Sequence, residues 1–512
     1  MTGRADWPLL LFIIGVTNTK IYIKLLAVVV YGIFLLLRKY PFSKTPGKIG
    51  WFYLLIPVIG LLSAAMQGSF QQPGYPLVAA WGTILWLTGG CTFYLLRTRI
   101  SAGDTDRVHA TIKAFLIANL IVSLVQLVRI MLESGSLIPY WYYDAADVYG
   151  ASTGDYISGI FGGASVTNGT ISALGAVWFL YKRNIGMTIA CICTMILCTS
   201  NITIALFLFT CMMMAVTVKA RKHRFITLSL FAFSAVLYVM LSPANIWYVE
   251  KTWNKFFGPK EVVVTATVPD YNGHFFLLNV PDSTYAHYRT DLLQLKQASA
   301  ADTSRHNLAL GRNAVNTTME RWYQMPVAAS PLANWGKPGK LYAFRQTVDF
   351  MQTGAMHAFA GAGMGNFSSK LAVKATGLGI EGHFPEGKIY SSKDFMQAHL
   401  YTTLYYFAQP AVAHSMMNMP NSVYNQLLGE YGIAGVLLFI CLYLGFFVQH
   451  RRRLKGAKYL LLALLLFFGY EYWFEMISLT VIFELLSLTD IFSNEINEGN
   501  ATSARYGTDA GL

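Results

Sequence analysis

The sequence predicts an all-α polytopic integral membrane protein of about 11–12 transmembrane helices, with one large mixed loop outside the bilayer. Three observations lead there. Hydrophobic residues make up 54% of the 512 and charged residues only 13%, roughly half the charged share of a soluble domain. Several uninterrupted apolar runs approach or exceed the roughly 20 residues that a helix needs to cross a bilayer. One hydrophilic stretch, 243–420, separates the apolar segments of 7–242 from those that resume at Pro420-Asn421-Ser422. A β-barrel would alternate apolar and polar residues, and these runs do not.

Taken in order, the expected spans cover about 8–37, 49–66, 76–96, 108–132, 159–181, 185–199, 201–218, 224–242, 421–448, 458–470 and 472–489. The first is too long for one ordinary span, and Thr17, Asn18, Thr19 and Lys20 interrupt it, which allows two short helices. The stretch 185–219 needs a break, placed at Thr199-Ser200-Asn201. No A-x-A-like cleavage site follows the first run, so no removable signal peptide is expected. Four regions result: an N-terminal transmembrane bundle (1–242), the loop (243–420), the C-terminal transmembrane helices (421–489) and a cytoplasmic tail (490–512).

Charge sets the expected topology. Arg38, Lys39, Lys44 and Lys48 fall in one connection, and Arg97, Arg99 and Arg107 in the next but one. Lys182 and Arg183, then Lys219, Arg221, Lys222 and Arg224, and finally Arg451, Arg452, Arg453, Lys455 and Lys458 continue the alternation. The connection 67–75 is uncharged, and 133–158 has only Glu133, Asp144, Asp147 and Asp155 beyond its helix end. By the positive-inside rule the long loop lies outside the cytoplasm, and the N-terminus lies inside if the first run is two helices. The net charge of +13 is then explained by topology-setting connections, with no nucleic acid partner required. The six cysteines all sit in apolar segments, so neither a disulfide framework nor a metal site is expected.

The long loop holds seven of the ten histidines and is not low in complexity. Trp322, Tyr323, Trp335, Tyr342, Phe344, Phe350, Phe359 and Phe367 supply enough aromatic area for a small folded cap. Leu341, Phe344, Val348 and Met351 recur at helical spacing. Gly361-Ala362-Gly363-Met364-Gly365-Asn366-Phe367 reads as a turn, and 261–268 as a strand paired with 274–280. Tyr401, Tyr405, Tyr406 and Phe407, like Tyr140-Trp141-Tyr142-Tyr143, suit either a membrane interface or a sugar face.

Glu430 begins an apolar helix, where a buried carboxylate is expensive. Gly429, Gly432 and Gly435, at spacing three, permit close helix packing. The bland reading is a packing helix that Glu430 caps.

The segment Asn421–Gly435 resembles the late signature of the O-antigen ligase/polymerase (Wzy/WaaL-type) superfamily. Three further stretches are similar to that family's pattern: Ser158–Gly163 with Asn168, Thr199–Thr203, and Gly361, Gly363 and Gly365 in the glycine-rich turn, preceded by an amphipathic helix carrying Arg345. The family's His falls on Asn421 and its next Asn on Ser422, and its Arg in the Ser-Arg turn falls on Asn201. The resemblance implies a GT-C-like, metal-independent glycosyltransferase of the bacterial inner membrane, without cofactor. It would polymerise repeat units from undecaprenyl-diphosphate-linked oligosaccharide at the periplasmic face, with membrane lipid and a chain-length regulator as partners. A ligase acting on lipid A-core, or a flippase for the lipid-linked oligosaccharide, are the alternatives.

Such a transfer needs cations for the developing diphosphate charge and a base for a sugar hydroxyl. The planar guanidinium fork makes Arg the better phosphate partner, so Arg345, Arg312 and Arg321 are the expected diphosphate-binding residues. His414, seven residues before Asn421, is the expected base, with His399, His383 and His357 behind it and Glu430 as a second catalytic group.

Overall fold

A computed structural model gives the fold. It describes residues 4–42, 45–141, 153–241, 339–379, 381–400 and 419–508, with isolated positions between them. Arg312, Arg321, His414, the aromatic positions 322, 323, 335, 401, 405 and 407, and the expected strands at 261–268 and 274–280 lie outside these residues. The described residues are mostly helical and contain no strand, only one bridge between Ser422 and Glu471.

Among the described residues nine α-helices precede the long loop: α1 (Trp7–Thr17), α2 (Ile21–Leu37), α3 (Gly47–Met66), α4 (Tyr75–Ser101), α5 (Thr105–Ser134), α6 (Ser165–Tyr181), α7 (Ile185–Leu197), α8 (Asn201–Thr217) and α9 (Arg221–Leu241). The first apolar run is therefore two helices. Asp6 starts α1 by accepting from the Leu9 N–H at 3.2 Å, with Pro8 in the first turn. The chain then reverses at Asn18–Lys20, and α2 returns beside α1, with Phe12 stacked on Tyr31 at 4.3 Å. The break at 199–201 is also present, with Thr199 in the left-handed region (φ +46°).

The described residues of the second part of the loop include the short helices α10 (Lys340–Gln352), α11 (Ala355–Ala360) and α12 (Lys370–Ala375), and a helical turn at Lys393–Phe395 that continues to Leu400. After it come α13 (Val423–Gln449, its middle widened into a π-turn at Phe439–Leu444), α14 (Ala457–Phe467), α15 (Trp473–Met476) and α16 (Ser478–Thr508). The expected span 472–489 is thus two helices, because the chain turns at Ile477 with φ +65°. Five described helices, α3, α4, α5, α9 and α13, are long and apolar enough to cross a membrane. The rest are shorter than the sequence spans suggested, or carry too many polar groups.

Helix α6 and the first half of α16 are buried on nearly every side, as expected of helices without a polar face at the surface. They form the axis of the bundle, packed against α1, α4, α5, α7, α8 and α14. By contrast α2 exposes Leu26, Val29, Val30 and Ile33, and α5 exposes Ile121, Val125 and Val128.

The Lys/Arg-bearing connections gather at one end. There Arg99 pairs with Asp6 at 2.7 Å, and Lys182 pairs with Asp490 at 3.2 Å. Asp490 also caps the start of α14, accepting from the Gly456 and Ala457 N–H groups at 2.8 and 3.0 Å. The opposite end holds the connections after α1, α3, α5 and α7 and the start of α13.

Candidate functional site

The site is built where the glycine-rich turn meets α13. Residues Ala360–Ser369 are all buried, and they dip between α3, α4 and α13 instead of covering the bundle from above. Gly60 and Gly82 receive Met364, whose atoms approach to 2.9 and 2.5 Å, respectively, of where their β-carbons would be. These glycines lie about 10 Å inside the ends of α3 and α4, at ~1.5 Å per residue. Non-helical backbone buried this deep must find partners. The Ala362 N–H donates to the Gly429 carbonyl (2.8 Å) and the Gly363 N–H to the Glu430 carbonyl (2.9 Å). Gly361 O accepts from Ser63 Oγ at 2.7 Å, and Met364 O from Tyr75 Oη at 3.0 Å.

Those carbonyls are available because α13 breaks at Gly432 (φ +61°, ψ −161°), a conformation for which glycine is suited. The Phe359 carbonyl sits 2.5 Å from where a β-carbon at Gly432 would be. The glycine-rich turn and the Asn421–Gly435 segment, singled out separately in the sequence, are therefore one structural unit. Glu430 is wholly buried within it, its Oε1 accepting from the Phe367 N–H at 3.4 Å. Its carboxylate belongs to the packed interior of the wedge and not to an open surface. Gly435 and Gly365 serve close packing, against Tyr431 and Val78.

The expected cap of aromatic residues is not what the described residues form. Phe367 stacks on Phe350 at 4.4 Å and both pack toward the bundle, while Phe344 and Phe359 are exposed. The buried face of α10 is Ala343, Thr347 and Phe350, not Leu341, Phe344, Val348 and Met351. Polar partners decide the rotation: Thr347 Oγ1 lies 3.1 Å from His399 Nε2 and 3.2 Å from Asn425 Oδ1.

Next to the wedge is a charged cluster. Asn421 donates from Nδ2 to Glu471 Oε1 at 2.9 Å, and the Tyr472 N–H donates to the same oxygen at 3.0 Å. Glu471 itself is held at φ +75°, sparsely populated for any residue with a β-carbon. Ser422 caps α13 by accepting from the Tyr424 N–H at 3.1 Å. Lys340 Nζ donates to the Asn421 carbonyl at 2.6 Å. Lys370 pairs with Glu381 at 2.7 Å, and Glu475 Oε2 accepts from the Leu371 N–H at 3.1 Å. Lys24 donates to the Met476 carbonyl. Burial lowers the Lys340 ammonium to about 8, against the pull of Glu471. For Lys370 burial also works against the charge, but Glu381 and Glu471 outweigh it and hold the ammonium above its usual range.

Of the expected site residues, Arg345 is half-exposed on α10 and pairs with Asp349 at 2.8 Å. His383 is exposed, and His357 stacks on Phe350 and bonds to Thr353. His399 is fully buried, and burial takes its imidazole down to about 3. Asn201 is engaged by the Tyr238 hydroxyl. Asn168 bonds to Asn119, Ser123 and the Ile157 carbonyl, at 2.6, 3.0 and 3.0 Å, locking the Gly159–Phe161 turn. Tyr470 joins that region to the cluster, its hydroxyl 2.9 Å from Thr170 and 3.0 Å from Thr203.

Sequence reasoning missed Lys24, Lys340, Lys370, Glu471 and Glu475. The signal for the two acids was present, since each interrupts an apolar stretch. Among the described residues no group of three His, Cys, Asp or Glu could hold a metal ion. The chain matches no protein-family model, no curated protein and no solved structure.

Proposed function

We propose that this chain is an integral membrane glycosyltransferase that polymerises surface-polysaccharide repeat units carried on undecaprenyl diphosphate, at the periplasmic face of the bacterial inner membrane. The observation that carries this reading is the union of the glycine-rich turn with the Asn421–Gly435 segment, the two stretches with the clearest resemblance to that superfamily. Beside that union sits a cluster with the two chemistries the reaction needs, cations for a diphosphate and a carboxylate for a hydroxyl proton.

The rest of the fold supports a site at the outer membrane surface of the bundle. The Lys/Arg-bearing connections lie at the end away from the cluster, which by the positive-inside rule is the cytoplasmic one. The exposed apolar faces of α2 and α5 suit lipid, and the dipping turn is tolerated at membrane depth because protein surrounds it. In this reading Lys340 and Lys370 meet the charge that develops on the departing diphosphate. They take the place given to Arg345, Arg312 and Arg321 by the sequence.

The test supplies the purified full chain in lipid nanodiscs with a lipid-diphosphate-linked repeat unit, and separates the products by size. A ladder of lengthening oligomers supports the proposal. Transfer only to a lipid A-core acceptor makes the protein a ligase. Movement of the lipid across a vesicle bilayer without new glycosidic bonds makes it a flippase.

A further inference from the structure

We propose that Glu471 is the general base of the transfer, taking the proton of the attacking hydroxyl on Oε2. The assignment rests on the glycan-transfer reading above and deepens it by placing the proton transfer on one atom.

Four observations single out this carboxylate. First, its position is fixed from both sides. Its N–H donates to the Asn421 carbonyl at 3.2 Å, and Oε1 accepts from Asn421 Nδ2 and the Tyr472 N–H. Secondly, only Oε1 is used: Oε2 has no hydrogen bond among the described residues. Thirdly, two ammonium groups face it without pairing with it. Lys340 on α10 is directed to the Asn421 carbonyl, and Lys370 on α12 to Glu381. Both remain within electrostatic range of Glu471. A carboxylate kept only for stability would be expected to close on one of them. Fourthly, its backbone is held in the left-handed region, and such strain tends to persist where the surroundings over-determine a functional geometry.

The other charged and titratable groups around it are Glu381 beyond α12, Tyr406, and Tyr470 and Tyr472 on its own segment. Glu430 and Glu475 face the glycine-rich turn and the start of α12, where they accept from the Phe367 and Leu371 N–H groups. Glu430 also leaves Oε2 without a partner, but it is fully buried and among the described residues no lysine ammonium is directed toward it.

The step balances as follows. The acceptor O–H gives its proton to Oε2 while its oxygen forms a bond to the anomeric carbon. The bond from that carbon to the diphosphate oxygen breaks, and its electron pair leaves with the diphosphate, between Lys340 and Lys370. The protonated Glu471 then returns its proton to water. Asn421 is a positioning residue: it holds Oε1 and so aims Oε2.

The experiment compares wild type, Glu471→Gln, Glu471→Asp and Asn421→Ala as full chains in nanodiscs, with the same lipid-linked repeat unit. Glu471→Gln is expected to lower kcat about 100-fold or more, as for loss of a general base, with KM within about threefold of wild type. Glu471→Asp should keep more activity than the Gln variant. Asn421→Ala removes a donor to the charged carboxylate, so the acidic limb of its kcat profile should move to higher pH. This measurement decides the matter even if Glu471→Gln does not fold. A Glu471→Gln enzyme within threefold of an active wild type, or an acidic limb that Asn421→Ala leaves in place, overturns the assignment alone. A wild type without turnover overturns the transferase reading together with it.

Discussion

Replacing Gly361 by Ala tests whether the dipping turn is welded to α13. Gly361 has φ +71° and ψ −168°, a region that is costly by about 1–3 kcal/mol for a residue with a β-carbon. The new methyl would also lie 2.6 Å from the Tyr431 nitrogen and 2.7 Å from the Glu430 oxygen, where ordinary contact begins at 3.4 Å. Both are backbone atoms, so no side chain can swing aside. Relief requires the turn to withdraw by nearly that difference, which breaks the hydrogen bonds from Ala362 and Gly363 to Gly429 and Glu430. Each of the two buried donors left unmet costs about 1–3 kcal/mol, so with the backbone strain we expect a total loss of about 3–9 kcal/mol. Two controls separate the causes. Gly379 has φ +80° with nothing within 4 Å of its β-carbon position, and Gly186 on α7 has open space without a positive φ. Gly379→Ala should show the backbone strain alone, and Gly186→Ala almost no loss. The measurement is denaturant- or heat-induced unfolding of each variant in the same detergent micelle. A Gly361→Ala protein no less stable than Gly379→Ala would refute the weld.

Three other expectations follow from the same geometry. Asp6→Ala leaves the buried Arg99 guanidinium with only the longer contact to Asp104 at 3.8 Å and should cost about 3 kcal/mol; unfolding that matches wild type would show the pair to be idle, and adding Arg99→Met should recover part of the loss. His399 is held neutral by burial, to about 3, below the ~6.5 of an unfolded chain. Between those values the unfolded state binds the extra proton, so stability falls as pH drops through 6.5, by about 2 kcal/mol at pH 5; His399→Gln should flatten that slope, and an unchanged slope would remove the histidine as its source. The exposed i,i+4 pair of Arg345 with Asp349 contributes less than ~0.5 kcal/mol to stability, which Asp349→Ala should show, and Lys370→Ala should weaken lipid-diphosphate binding more than Arg345→Ala does; the reverse order would return the phosphate role to the arginine.

The helices were legible because continuous apolar runs declare themselves locally. The breaks at 17–20 and 199–201 were legible for the same reason, since polar residues interrupt those runs. The rotation of α10 was not legible. Leu341 and Phe344 have the right spacing for a buried face, but Thr347 finds His399 and Asn425 on the other side. Likewise three glycines announce a turn without saying what it packs against, and here that partner is Gly429–Gly432, more than sixty residues later. Glu471 was hidden in a similar way. An acid in an apolar run signals a role, but the Asn421 amide that orients it lies fifty residues earlier.

The dipping turn also orders the protein's biogenesis. Helices α3 and α4 emerge early from the ribosome, yet the notch formed by Gly60, Ala64 and Gly82 is filled by residues made much later, Gly363, Met364, Leu371 and Tyr431. That plug can in turn be held only once the carbonyls of Gly429 and Glu430 exist. Most of the polypeptide must therefore be synthesised before its first third can close, and a nascent chain halted in the long loop would leave that groove unfilled. A truncation before position 430 should therefore be cleared by proteolysis even though its N-terminal helices are all present.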